Sequence, residues 1–113
     1  MDVQENLPLR EATFFILLSL ATAPRHGYAI MKDTARLSDG RVTLSTGTLY
    51  GAIKRLLEAR WIRRVDNGQE EENGRPKKEY ELTEQGRRIF EAEVARLESI
   101  VTVAKESTAG AQA

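Results

Sequence analysis

LSTGTLYGAIKRLLEARWIRRV, residues 44–65, decides how this chain folds, because two periodicities meet within it. Leu49, Ile53, Leu56 and Leu57 recur at steps of three and four, the apolar stripe of a helix. Residues 61–65, WIRRV, are β-prone and begin a strand. Ser45 suits the N-cap, where its oxygen accepts from a backbone N–H left free in the first turn. Leu44 and Leu49 straddle that cap as a hydrophobic staple. One hydroxyl is enough to start a helix, yet residues 45–50 hold Ser45, Thr46, Thr48 and Tyr50. The surplus, on the polar and basic side of the stripe, needs a use other than folding.

Working outward, residues 9–23 read as a first helix that is apolar nearly all round, with Phe14, Phe15, Ile16, Leu17, Leu18 and Leu20, ended by Pro24. Residues 28–38 read as a second helix with Ile30, Thr34 and Leu37 on one face, Met31 and Ala35 beside it, and Ser38-Asp39-Gly40 as its stop. Three short helices joined by tight turns, the last with a free basic face, describe a helix-turn-helix. Strands at 61–65 and 77–82 then flank an eleven-residue polar stretch containing Gly68, Asn73, Gly74 and Pro76, a two-stranded hairpin with a long tip. Its stem gathers Arg63, Arg64, Arg75, Lys77 and Lys78, and its tip holds Glu70, Glu71 and Glu72 as solvated charges. The predicted fold is mostly α, of the α+β class: a winged helix-turn-helix followed by one long helix.

That last helix, residues 84–105 behind a Thr83 cap, repeats Phe90, Val94, Leu97, Val101 and Ala104 at alternating steps of four and three, the seam of a coiled coil. Ile89 and Ile100 widen the stripe. The helix either folds back on its own domain or meets a second copy, and the small core already covered by the first helix and the hairpin favours the second copy. The expected division is 7–82 for a DNA-binding domain, 83–106 for a dimerisation helix and 107–113 for a disordered tail.

Composition removes several function classes. With no Cys and one His in 113 residues, disulfides and Cys/His zinc sites are excluded. The longest apolar run is too short to span a bilayer, and residues 1–6 lack the basic flank of a signal peptide, so no membrane partner is expected and the protein is read as cytoplasmic. No Gly-rich phosphate loop, no nucleophile with a His partner and no metal-ligand cluster is present in the sequence. No catalytic residue, metal or cofactor is expected, and the chain is read as no enzyme. Formal net charge is zero, but its distribution is uneven: residues 41–64 carry six bases against Glu58 alone, and residues 66–74 carry four acids and no base.

Three motifs, HGYAIMK (residues 26–32), LSTGTLYGAIKRLLEARWI (44–62) and RPKKEYELTEQGRR (75–88), together resemble the PadR family of bacterial transcriptional regulators, in consistent order over residues 9–88. The single C-terminal helix looks like the family's shorter subgroup. The resemblance implies a winged helix that dimerises through this helix and represses its own or a neighbouring gene. It also implies that flat hydrophobic molecules bind between the C-terminal helices and the first helix. Two departures stand out: Gly51 where the family commonly has Pro, and Ala59-Arg60-Trp61 in place of a more usual Gly-Leu.

A recognition helix enters the major groove by its N-terminal end, where short donors reach phosphates or base edges. The expected DNA-binding residues are therefore Ser45, Thr46, Gly47, Thr48, Tyr50 and Lys54, with Arg63, Arg64, Lys77 and Lys78 at the wing. Ser45 divides between cap and contact. Successive strand residues point to opposite faces, so one of each adjacent basic pair is simply solvated. Arg55 is set toward the flank, within reach of Glu58 or Asp39. The expected dimer interface is Phe15, Phe90, Val94, Leu97 and Val101, and a hydrophobic effector would line up with Phe14, Phe15, Phe90 and Val94. Tyr28 is read as core with its hydroxyl at the rim, and His26 as a turn residue. The resulting function is a homodimeric regulator of a palindromic double-stranded operator, a repressor released by a small hydrophobic ligand. The alternative is a winged-helix protein–protein interaction module that binds no DNA.

Overall fold

A computed structural model describes the backbone over residues 3–70 and 76–111 and the side chains over 3–65 and 78–110. The fold is the predicted winged helix, drawn out to 65 × 33 × 22 Å by one projecting helix. Helix α1, Glu11–Leu20, is shorter than residues 9–23: Ala21 is its C-cap, and the chain leaves the helical region ahead of Pro24. Ile16, Leu17 and Leu20 of α1 are buried, while Phe14 and Phe15 are half-buried.

The turn after α1 holds an element the sequence reading lacks. Arg25–His26 forms a short strand, β1, antiparallel to β3 (Pro76–Leu82) with Arg25 opposite Tyr80 and His26 opposite Glu79. The expected two-stranded wing is thus a three-stranded sheet ordered β1-β3-β2, where β2 is Ile62–Glu70. His26 does more than turn: its Nδ1 accepts from the Ala29 N–H at 3.2 Å and caps α2, Gly27–Leu37. The ladder between β2 and β3 reaches Glu70 opposite Pro76, with an irregularity between Asp66 and Glu70. It runs well past Val65: residues 66–70 and Pro76 of the expected eleven-residue tip are strand, and residues 71–75, with Glu71, Glu72 and Arg75, lie outside the described residues.

Helix α3, Thr46–Glu58, begins as expected, with Ser45 Oγ accepting from the Thr48 N–H at 3.2 Å. Leu49, Ile53 and Leu56 enter a core shared with Ile16, Leu17, Leu20, Ile30, Ile62 and Tyr80, and Leu44 packs against it beside the cap. At the other end, Arg60 N–H donates to Leu57 O at 3.1 Å and Trp61 N–H to Leu56 O at 3.0 Å, a Schellman closure. Its left-handed position is filled by Arg60, φ 65°, where glycine is usual.

That closure is joined directly to α4, Glu84–Ala111. Thr83 Oγ1 accepts from Gly86 N–H at 3.0 Å and donates to Arg60 O at 2.6 Å, while Thr83 N–H donates to Trp61 O at 3.0 Å. A β-carbon on Gly86 would overlap the Trp61 carbonyl, so this joint admits glycine alone. The end of α3 and the start of α4 are thereby tied through Thr83 and Gly86. Residues 107–111, expected in a disordered tail, continue α4.

Candidate nucleic-acid interface

On α3 the buried stripe and the polar face are cleanly separated. Leu49 is fully buried, whereas Ser45, Thr46, Gly47, Thr48, Tyr50 and Lys54 are all exposed, Tyr50 by 47%. Ser45 is committed to the cap, and its own hydroxyl donates to Thr48 Oγ1 at 2.9 Å. With its oxygen so engaged, Thr48 keeps its proton for an outside acceptor, and Thr46 has no internal bond among the described residues. Gly47 has no heavy atom within 4 Å of where a β-carbon would stand, so the helix entrance is open. Lys54 lies one turn beyond Tyr50 on the same face.

The strand register sorts the wing's basic pairs. Arg63 stands opposite Glu81 and Arg64 opposite Tyr80. Arg63 Nε donates to Glu81 Oε1 at 2.6 Å and Nη2 pairs with the same oxygen, so this guanidinium is occupied on the outer face. Arg64 shares the face of Ile62, Tyr80 and Leu82, which packs against the helices, and extends past the core edge into solvent. Lys78 is exposed on that face two residues from Tyr80; the Lys77 side chain lies outside the described residues. Arg41 is held by Glu11 at 2.9 Å. Of the six bases in residues 41–64, Lys54, Arg55, Arg60 and Arg64 are exposed with no acidic partner among the described residues, and Arg55 pairs with neither Glu58 nor Asp39.

Tyr28 corrects the sequence reading: it is 63% exposed, with the Lys32 ammonium 5.4 Å from its ring centre, and contributes nothing to the core. The buried tyrosine is Tyr80. Burial pushes its phenol above the ordinary value, Tyr50 adds to the rise and Arg64, its cross-strand neighbour, opposes it.

At the far end, Phe14 stacks on Phe90 with ring centres 5.4 Å apart, and Phe15 meets Phe14 edge-on at 5.5 Å. An apolar groove of about 370 Å³ is lined by Phe14, Val94, Leu97, Glu98, Val101 and Thr102. Of the expected pocket residues it takes Phe14 and Val94; Phe90 packs against the core, and half-buried Phe15 does not line the groove. Leu97, Ile100, Val101 and Val103 are 37–59% exposed along α4. Sequence reasoning missed Glu93, 2% exposed in the same helix. Its carboxylate accepts from the Leu9 N–H at 2.7 Å and from Arg96 at 2.5 and 3.1 Å. The Arg96 bonds, against the cost of burial and with help from Leu9, hold the Glu93 carboxyl below the usual range. The signal was there: an acid between Phe90 and Leu97 on the apolar stripe, with Arg three residues on.

Among the described residues, no cluster of acids and His is able to hold a metal, and no helix is long and apolar enough to cross a membrane.

Residues 16–92 match the model of the transcriptional regulator PadR-like family. An uncharacterised 37.1 kDa protein in transposon Tn4556 of Streptomyces fradiae is 37% identical over 83 residues, 74% of this chain; the chain spans 22% of that protein's length. Among solved structures, a PadR family transcription regulator from hypervirulent Clostridium difficile R20291 has a TM-score of 0.70 at 23% identity, covering 88% of this chain and 99% of that one. A transcriptional regulator from Clostridium thermocellum has a TM-score of 0.66 at 23% identity, covering 84% of this chain and 87% of that one. At such identities the two structures share the fold.

Proposed function

Because this chain belongs to the PadR-like family of transcriptional regulators, DNA-binding proteins that are not enzymes, we propose that it acts as a homodimeric repressor of a palindromic operator near its own or a neighbouring gene. The observation that carries the reading is the half-exposed Tyr50 with exposed Lys54 on α3, opposite a stripe whose Leu49 is fully buried. Folding leaves these polar groups unused, and the free bases Lys54, Arg55 and Arg64 supply charge for phosphates. In this assignment residues 7–82 bind DNA: Thr46, Thr48, Tyr50 and Lys54 meet the groove, Ser45 caps, Gly47 keeps the entrance clear, and Arg64 with Lys78 grips the backbone beside it. Arg63, tied to Glu81, has a lesser share.

Residues 83–106 form the dimer contact. Leu97, Ile100, Val101 and Val103 leave apolar surface along α4 that a second copy buries. The groove of Phe14, Val94, Leu97 and Val101 is where a small hydrophobic effector would bind and loosen the dimer's grip on DNA. The test is binding to the protein's own upstream DNA at two salt concentrations, with particle mass measured in the same buffer. A dimer whose affinity falls steeply with salt is expected; a monomer, or binding indifferent to salt, contradicts it.

A further inference from the structure

Gly27 opens α2 and is buried, yet its backbone is not among the left-handed positions, so conformation does not demand glycine there. Space does. A β-carbon on Gly27 would lie 2.5 Å from Tyr50 Oη, 2.9 Å from Cζ and 3.3 Å from Cε1. The phenol tip of α3's exposed tyrosine therefore rests directly on the bare start of α2. That start is itself pinned: His26 caps it, and β1 immediately before it is paired with β3. Buried Tyr80 stands nearby in the sheet, opposite both Arg25 and Arg64. Tyr50 is thus gripped along one side and open along the other.

We propose that Gly27 is a positioning residue for DNA recognition: the side chain it lacks leaves the seat that holds the Tyr50 phenol in its DNA-facing orientation. This rests on the assignment of Tyr50 to the DNA interface. A half-exposed tyrosine that swung freely would lose its rotamer freedom on binding; a seated one has already lost it on folding, so the contact is pre-organised. Gly27→Ala puts a methyl group against the far end of one flexible side chain. Tyr50 swings away, the backbone stays, and alanine is the better helix former. Stability and DNA affinity should then move apart, which loss of mere packing would not produce.

The experiment compares wild type, Gly27→Ala, Tyr50→Ala and the double variant. It measures affinity for a duplex of the protein's own upstream region at low salt, thermal midpoint, and the nuclear Overhauser contact between Gly27 Hα and the Tyr50 ring. The expected results are a contact present in wild type and lost in Gly27→Ala, about a hundredfold weaker binding for each single variant, as for loss of one charge-assisted hydrogen bond, about tenfold, from each half of the dimer, and no lowering of the midpoint in Gly27→Ala. The double variant should bind no worse than Tyr50→Ala, because an empty seat makes the methyl group harmless. Unchanged binding by Gly27→Ala, or losses that multiply in the double variant, overturns the seat while leaving the DNA assignment intact. If wild type binds no duplex at all, the DNA assignment falls and the proposal with it.

Discussion

Arg63 and Arg64 are adjacent in sequence, equally charged and both exposed, yet they should contribute differently to DNA binding. Arg63 is held by Glu81 through Nε at 2.6 Å and a second guanidinium nitrogen, whereas Arg64 faces Tyr80 with no acidic partner among the described residues. A base that neutralises one phosphate contributes about 0.9 to the slope of log affinity against log salt, so its loss from both halves of a dimer flattens that slope by about 1.8. Between about 50 and about 200 mM salt, a fourfold change, the deficit of Arg64→Gln relative to wild type should therefore shrink by about twelvefold. Arg63→Gln should flatten the slope much less, because its charge is largely spent on Glu81. Titrating a labelled duplex by fluorescence anisotropy at four or more salt concentrations gives both slopes. Equal flattening by the two variants would refute the argument from strand register.

Three further outcomes follow from the same geometry. Arg60→Gly should raise the thermal midpoint: a non-glycine residue in the left-handed region costs about 1–2 kcal/mol, glycine returns about 0.5–1 of that through its freer unfolded chain, and the net of up to about 1.5 kcal/mol is worth up to about 5–8 °C by calorimetry. Glu93→Gln should cost about 1.5–3 kcal/mol in urea unfolding at neutral pH, because a charge-assisted fork to Arg96 is lost. Since the native Glu93 carboxyl is held below the usual range, its contribution is complete above the ordinary glutamate pKa, about 4.3, and is withdrawn as pH falls through the lower native value; that part of the acid dependence should vanish in the variant. Val101→Glu, charging the 49% exposed centre of the apolar stripe on α4, should raise the dimer dissociation constant at least about a hundredfold in sedimentation equilibrium, given the cost of burying an unpaired charge.

The parts of the fold that depend on periodicity were legible in the chain. The stripe of Leu49, Ile53 and Leu56, the Ser45 cap and the Thr83 cap lie where spacing put them. What escaped depends on contacts distant in sequence. A two-residue strand, Arg25–His26, has no period to read and exists only because β3 runs beside it. Gly27 and Gly86 look like ordinary glycines until the Tyr50 ring and the Trp61 carbonyl are in place against them. Tyr28 was misjudged because an aromatic next to an apolar stripe is commonly core; one step of 100° around α2 carries it into solvent. Arg60 did leave a trace, as the break from Gly-Leu after α3, and its left-handed backbone is the physical content of that break. The candidate site was readable as a set of residue types, but which arginine is free could only come from pairing across the hairpin.

The most direct measurement is selection of bound fragments by the full chain from a random duplex pool, sequenced after several rounds. If the polar face of α3 reads the groove and α4 joins two copies about a twofold axis, the enriched motif is an inverted repeat with half-site centres about one helical turn, or a multiple of it, apart, and a Tyr50→Ala, Lys54→Ala variant fails to enrich it. An unsymmetrical motif, no motif, or the same motif recovered by that variant would contradict the account.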